Sequence, residues 1–372
     1  MIVLKLPLMT EAPIHILHAD GISAAGTTLA EAMETFYKAR QAFAIPAHFD
    51  SKSLQLGIIT DLTPADGESR AFALLRRICK RLPTLPEDTR LYLATTVGAI
   101  DLLEQAPQND EPDCNNLLLQ EAKRLTGLGW AVLVAAACAS GQTATAMAMR
   151  ALRLGHCKHA LVIGLDITSA FVTGGFASLR AYSPTVARPY DRNRDGLILG
   201  EGAGALLLSA EKTTFPLGVL TAAYESCDAS HITAPDLSGI PLANLIKRTL
   251  EEQRLVPQEI AAVIGHGTGT LHNDASELAA MNQVFKQPIP LLSIKGFIGH
   301  TLGATGVLQI VYGLEFIKRR ILPPQAGLLA PAEGAEQFVS TKAQPLHNNR
   351  ILSVNVGFGG LNSTIIVEGP DK

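Results

Sequence analysis

Cys138 closes a run of small and apolar residues, Trp130-Ala131-Val132-Leu133-Val134-Ala135-Ala136-Ala137. Ala139-Ser140-Gly141 then leads into Gln142 to Leu154, a stretch of strong helix formers. The run reads as a buried strand, so the thiol stands between a strand end and a helix start. The helix dipole is positive there, which predicts a lowered thiol pKa and a larger thiolate fraction. A thiolate on a sharp strand-to-helix turn can attack a carbonyl and form a covalent intermediate. A small cysteine filling a tight gap has the same neighbours, so this segment alone leaves both readings open.

Two histidines have comparable surroundings. His266 follows Ile260-Ala261-Ala262-Val263-Ile264 and opens His266-Gly267-Thr268-Gly269-Thr270. His300 closes Ser293-Ile294-Lys295-Gly296-Phe297-Ile298-Gly299 and precedes Thr301-Leu302-Gly303-Ala304-Thr305-Gly306. Each is expected at a strand end or loop, beside glycines that permit close backbone approach. Imidazole so placed can donate to an oxygen or exchange a proton near neutral pH, or simply hydrogen-bond within its loop. The other eight of the ten histidines lack this glycine framing. A third segment, Asn355-Val356-Gly357-Phe358-Gly359-Gly360, lies between two strand-like stretches. Its turn exposes backbone N–H groups that can stabilise an oxyanion, and it equally suits an ordinary hairpin.

Together these segments resemble the β-ketoacyl synthase family, the decarboxylating condensing enzymes of fatty-acid and polyketide synthesis. The resemblance runs from about residue 130 to residue 367. It rests on Ala137-Cys138-Ala139-Ser140-Gly141, Asp191-Arg192-Asn193-Arg194-Asp195-Gly196, Gly200-Glu201-Gly202-Ala203-Gly204, His266-Gly267-Thr268-Gly269-Thr270, Lys295 with Gly299-His300, and Gly357-Phe358-Gly359-Gly360, in family order. The first 125 or so residues carry far less of the pattern.

The resemblance implies that Cys138 accepts an acyl chain from a carrier-protein thioester, and that the enolate of a decarboxylated extender attacks it. It implies that His266 and His300 hydrogen-bond the thioester carbonyl, with Lys295 tuning the second histidine. The backbone N–H groups of Cys138 and Phe358 would form the oxyanion hole within the Gly357–Gly359 turn. Phe358 would gate the acyl site, and Thr268 and Thr270 would bind the phosphopantetheine arm. No cofactor or metal is implied beyond the carrier's own phosphopantetheine. The implied partners are an acyl carrier protein and a second ketosynthase-like subunit, as homodimer or heterodimer. His300 at the second position, with no cysteine after Cys227, matches the elongating Cys-His-His branch rather than thiolases or Cys-His-Asn relatives. Three departures stand out. Gln309 replaces a family glutamate that would support Lys295, Ala136 replaces a common threonine, and the N-terminal part looks shortened. They keep a chain-length-factor-like partner subunit, with little turnover of its own, as the alternative. A thiolase-like acyltransferase without decarboxylation is a weaker one.

Strands and helices that must position these residues alternate along the chain. Strands are expected near 14–19, 54–60, 91–96, 131–137, 160–165, 203–208, 261–265, 291–294, 351–356 and 364–367. Helices are expected near 28–39, 70–81, 115–124, 141–154, 242–253, 274–285 and 303–317, with Pro323-Pro324 ending the last. That alternation predicts an α/β class with mixed sheets. The resemblance adds the thiolase-like five-layer αβαβα fold of two similar halves, although no repeat shows in the sequence. Thr213-Thr214-Phe215-Pro216-Leu217-Gly218 reads as the boundary, giving halves 1–213, with the nucleophile, and 214–372, with both histidines.

With 47% hydrophobic and 17% charged residues over 372 positions, the chain has an ample core. A net charge of −3 gives no broad case for nucleic acid or an anionic membrane. No apolar stretch approaches the roughly 20 residues of a bilayer span, and Met1–Pro7 has no signal-peptide pattern. Five cysteines without paired spacing point to a reducing compartment, the cytoplasm. Gly265 to Gly269 lacks the third glycine of a dinucleotide loop. His156-Cys157-Lys158-His159 lacks a second ligand pair for a metal. Arg70, Arg76, Arg77, Lys80 and Arg81 suit a solvated helix face, or a dock for an acidic carrier protein. Asp191 to Gly196 reads as a charged turn, and Asp274 and Glu277 as helix-start carboxylates.

Overall fold

The computed structural model describes residues 12–107, 111–184 and 186–370. The opening segment read above for a signal peptide lies outside them. The first half alternates strands β1 (Ile14–Ser23), β2 (Arg90–Ala94), β3 (Ala131–Val134), β4 (His159–Asp166) and β5 (Gly202–Ser209) with helices α1 (Leu29–Tyr37), α2 (Arg70–Cys79), α3 (Asp101–Gln105), α4 (Cys114–Thr126), α5 (Ser140–Arg153) and α6 (Ala170–Ser178). The second half carries β6 (Gly218–Cys227), α7 (Ile240–Glu252), β7 (Ala262–Ile264), α8 (Leu271–Val284), β8 (Leu291–Leu292), α9 (Lys295–Ile298) and α10 (Thr305–Arg319). A small hairpin of β9 (Ile321–Leu322) and β10 (Gln344–Pro345) follows, then β11 (Arg350–Gly357) and β12 (Leu361–Glu368).

Ten strands run in the order β3-β2-β4-β5-β1-β6-β12-β11-β7-β8, with β1 and β6 joining the halves at Ile14 to Ile16. The two sets of five follow one walk. In each, the second strand is parallel to the third and fourth, and the fifth is antiparallel to the fourth and first. Parallel neighbours need crossover helices, and those helices make the layers. α5 and α10, the helices after β3 and β8, touch strands of both halves and fill the middle. α2 and α4 cover the outer face of the first sheet, and α7 and α8 that of the second. This is the five-layer αβαβα arrangement of two similar halves.

The middle helices differ from the outer ones in composition for a physical reason. A helix between two sheets is buried on most sides: α5 buries Ala144, Ala146, Ala148 and Met149, and α10 buries Leu308, Ile310, Tyr312 and Phe316. α2 instead divides into an apolar face of Ala71, Leu74, Leu75 and Ile78 and a charged face.

Some expected elements differ. Residues 54–60 form no strand, only the isolated bridges Ala44–Leu56 and Gly57–Gly200. α6 and the short α9 have no clear helical signal, because Gly174, Gly175 and Gly296 lower the propensity. α10 stops at Arg319, where Arg320 turns left-handed (φ 55°), ahead of Pro323. Among the described residues no helix is long and apolar enough to cross a membrane.

Candidate active site

Cys138 is presented by a turn that departs from regular geometry. β3 stops at Val134, Ala137 adopts a φ of 48°, and Ala139 caps α5. A left-handed residue with a Cβ costs about 1–2 kcal/mol. Ser140 holds it there: its Oγ accepts the Ala136 N–H at 2.8 Å and donates to Ala137 O at 2.6 Å.

The thiol packs in an apolar cluster with Leu56, Ile100, Leu199 and Leu302. Burial pushes its pKa up to about 12, against the opposing charge of Lys295. The expected lowering by the helix dipole is therefore reversed. A rise of this size corresponds to about 4 kcal/mol, whereas one helix terminus supplies roughly 0.3–2 kcal/mol. Cys138 thus rests as a neutral thiol. Its alkylation by iodoacetamide, followed by peptide mass spectrometry, is expected to keep rising about tenfold per pH unit beyond pH 9. An ordinary cysteine levels off near its pKa of roughly 8.5.

Close glycine contacts bring His300 to the sulfur. A Cβ on Gly141 would lie 2.7 Å from Gly303 O, and one on Gly306 would lie 2.6 Å from Gln142 N. The starts of α5 and α10 can therefore meet only as glycines. Asp166, at the end of β4, accepts Gly303 N–H at 2.6 Å, the Thr95 hydroxyl at 2.6 Å and Thr96 N–H at 2.9 Å. It ties the His300 loop to the end of β2, and burial pushes its pKa up to about 6.

The result is His300 Nε2 at 3.0 Å from Cys138 Sγ. His300 Nδ1 accepts Leu302 N–H at 3.2 Å. An amide can only donate, so the neutral ring carries its proton on Nε2, toward the sulfur. Burial, then the nearby Lys295 charge, holds the His300 pKa well below the ordinary histidine range.

His266 stands edge-on to His300, with ring centroids 5.5 Å apart. Its loop hangs from two buried acids of α8. Glu277 accepts N–H from His266 (2.6 Å) and Gly267 (2.8 Å), and Asp274 accepts N–H from Thr268 (2.9 Å). Tyr190 braces both, donating its hydroxyl to Glu277 at 2.9 Å and its N–H to Asp274 at 2.8 Å. Reading Asp274 and Glu277 as helix-start carboxylates missed this role. The available signal was their i, i+3 spacing, which puts both on one helix face.

Lys295 is buried and donates from Nζ to His266 O, so it sits beside the first histidine rather than the second. Burial lowers its pKa to about 8, opposed by the charges of Glu277 and Asp274. These acids, not residue 309, are its charge partners. Gln309 bonds Gly265, Asn355 and Ser353 instead.

Cys138, His266 and His300 open on a cavity of about 380 Å³ that is also lined by Thr268, Thr270, Gly357 and Phe358. The Thr268 and Thr270 hydroxyls are 2.9 Å apart. Phe358 is 38% exposed and stacks on Phe176 at 6.0 Å, flanking the way in. Gly359 (φ 86°) closes the turn and donates its N–H to Ile232 O at 2.7 Å. Among the described residues, no backbone carbonyl takes the Cys138 or Phe358 N–H.

The basic helix cluster does not survive folding as a patch. Arg70 is buried against Glu201, and Arg76, Arg77 and Arg81 pair with Glu68, Asp61 and Asp20. His159 pairs with Asp88 at 2.8 Å, and Cys157 is buried in the core. Asp191 accepts Leu329 and Ala330 N–H groups, the work of a structural turn.

A β-ketoacyl synthase N-terminal domain model matches residues 123–214 and a β-ketoacyl synthase C-terminal domain model matches 217–329, together more than half of the chain. A putative polyketide β-ketoacyl synthase of Streptomyces cyaneus is 29% identical over 276 residues, covering 69% of this chain and 64% of that protein. The chloroplastic 3-oxoacyl-[acyl-carrier-protein] synthase I of Arabidopsis thaliana is 30% identical over 247 residues, covering 62% and 52%. The chain thus spans about half to two-thirds of the length of these relatives. Among solved structures, a chain of a ketosynthase in complex with its chain length factor from Xenorhabdus doucetiae superposes with a TM-score of 0.80. It has 24% identity and covers 96% of this chain and 98% of that one. At that identity the likeness is one of fold.

Proposed function

Because this chain belongs to the β-ketoacyl synthase family, within the thiolase superfamily, we propose that it forms a carbon–carbon bond by decarboxylative Claisen condensation. The observation that carries the reading is the 3.0 Å approach of His300 Nε2 to Cys138 Sγ, with His266 facing the same cavity. In the first half-reaction Cys138 sulfur attacks an acyl thioester of a carrier protein, and the carrier thiol leaves with the proton. In the second, a malonyl thioester loses carbon dioxide, and its enolate attacks the acyl-cysteine carbonyl. Cys138 is expelled as the thiolate and takes a proton from solvent to restore the thiol, and a β-ketoacyl thioester departs on the carrier.

The Nε2–H of His300 is placed to stabilise the thiolate, and then the oxygen of the extender enolate. The N–H groups of Cys138 and Phe358 suit the oxyanion of the acyl-transfer steps, as backbone donors do in acyl transfer generally. Thr268 and Thr270 line the same cavity as the sulfur, which supports assigning them to the phosphopantetheine arm. Lys295, attracted by the buried carboxylates of Glu277 and Asp274, stabilises negative charge at the site.

The partners we propose are an acyl carrier protein and a second ketosynthase-like subunit. β3 is a sheet edge, with Ala131 to Leu133 only half-buried and Trp130 exposed, and α6 presents exposed Phe171. Unpaired edges and apolar helix faces are usually covered.

The test is intact-mass analysis with an acyl-carrier protein, followed by addition of malonyl-carrier protein. A mass gain equal to the acyl group, then carbon dioxide release and a β-ketoacyl product, is expected. A protein that stays unmodified and turns over nothing, alone or with a paired synthase, refutes the reading. Purification as a stable complex with a synthase, with Cys138 unacylated, would instead assign the chain-length-factor role. Acyl transfer without carbon dioxide release would assign the thiolase-like one.

A further inference from the structure

The sulfur and the imidazole that meet at 3.0 Å each have a left-handed residue close by in the chain. Ala137 precedes Cys138, Leu302 lies two residues after His300, and both have a φ of 48°. Neither is a glycine, so each conformation has to be held by its surroundings. Holding it means fixing the peptide unit that follows, because rotation of that unit lets the residue relax. At Leu302 that unit carries Gly303 N–H, and Asp166 Oδ2 accepts it at 2.6 Å. At Ala137 it carries Ala137 O, to which the Thr96 hydroxyl donates at 3.4 Å beside Ser140. Thr96 is placed in turn by Asp166, whose Oδ2 accepts its N–H at 2.9 Å.

Asp166 is fully buried, and the groups it accepts from are a hydroxyl and backbone amides, with no cation among them. A carboxylate so placed is costly to bury, and its charge also opposes ionisation of Cys138. What it supplies is two acceptor oxygens that reach two segments at once. Oδ1 takes the Thr95 hydroxyl at 2.6 Å, and Oδ2 is shared between Thr96 and Gly303. The fit leaves no slack. A Cβ on Gly303 would lie 2.8 Å from Asp166 Oδ2 and 3.0 Å from the Thr95 backbone.

We propose that Asp166 is a positioning residue for the sulfur–imidazole pair, keeping Leu302 and Ala137 left-handed so that His300 Nε2 reaches Cys138 Sγ. It is not among the residues that line the cavity, so it acts only through these two turns. Leu302 is the stronger arm, because its N–H is the one that His300 Nδ1 accepts, at 3.2 Å. Ala137 is the weaker arm, because Ser140 Oγ also donates to its carbonyl, at 2.6 Å.

The proposal rests on the reading of Cys138 and His300 as a reacting pair, but its first readout needs no turnover, so the two can fail separately. In a crystal structure of full-length Asp166→Ala, Leu302 is expected to leave the left-handed region. The His300 Nε2 to Cys138 Sγ distance should then open by about 1 Å, a displacement of the size that costs an enzyme about 100-fold. Condensation kcat should fall by about that factor, with KM for malonyl-carrier protein within about twofold of wild type. Asp166→Asn keeps one oxygen for Gly303 N–H and turns its amide to the Thr95 hydroxyl, so it should lose only about tenfold. Thr249→Val breaks the buried Thr249–Thr364 hydroxyl contact in the second half and serves as the stability control. It should keep kcat within about twofold. An Asp166→Ala structure with the pair still at its wild-type distance overturns the proposal. So do folded Asp166 variants that lose no more kcat than Thr249→Val. If Asp166→Ala does not fold, the isosteric Asp166→Asn decides, and wild-type kcat in that variant overturns the proposal.

Discussion

Cys138→Ala is expected to lose acyl-enzyme formation entirely and to slow condensation by at least about 10³-fold, the scale seen when a covalent nucleophile is removed. The loss should be selective. His266 and His300 are held by their own supports, Glu277 and Leu302 N–H, neither of which touches the sulfur. Release of carbon dioxide from a malonyl thioester should therefore survive in the variant while the acylated mass disappears. Cys79→Ala, half-buried on α2, should keep both activities within about twofold. Acylation persisting in Cys138→Ala, read by intact mass, would move the nucleophile elsewhere and remove the basis of the mechanism.

Arg70→Met is expected to destabilise the protein by about 3–5 kcal/mol, because it strands a buried carboxylate. Arg70 donates Nε to Glu201 Oε2 at 2.8 Å and Nη2 to Glu201 Oε1 at 2.6 Å, with neither side chain more than 6% exposed. Its remaining donors close on Leu62 O and Ile59 O, and Glu201 also accepts Ile59 N–H. The pair thus pins residues 57–62 from three sides. That segment leads to the site, since Gly57 N donates to Leu199 O and Gly200 N donates to His300 O. Urea unfolding should show the loss, and most of it should be recovered in Arg70→Met/Glu201→Met, where no charge is left unpaired. A single variant as stable as wild type would mean that the two charges are solvated.

The residues that the fold gathers around one cavity were legible in the sequence. Cys138 and His266 each follow an apolar run, and all three sit beside residues small enough for a tight turn. The hairpin at Gly357 to Gly360 lies between two strands, as its glycines imply. Local chemistry also placed the helices of α1, α2, α5 and α10 to within a few residues, since apolar periodicity survives even where a helix is buried on all sides.

Other features depended on partners far apart along the chain. The duplicated strand order is invisible in the sequence because many apolar residues can fill equivalent strand positions. Arg70 looked like part of a surface patch, and only the fold supplies Glu201 to bury it. Gln309 looked like a lost support for Lys295, yet the fold gives that task to Glu277 and Asp274 and turns Gln309 toward Asn355. The thiol pKa was misjudged in sign for the same reason. A helix start is visible locally, whereas the desolvation that outweighs it comes from Leu56, Ile100, Leu199 and Leu302.

By itself, then, the sequence determined which residue types could react and which short turns would present them. Sterics and periodicity act over a few neighbouring residues and are written there. The tertiary structure alone decided which groups share a cavity, which charges are paired, and which nitrogen of His300 holds its proton. Those outcomes depend on burial and on hydrogen bonds between segments more than a hundred residues apart, such as Cys138 with His300 and Gln142 with Gln309.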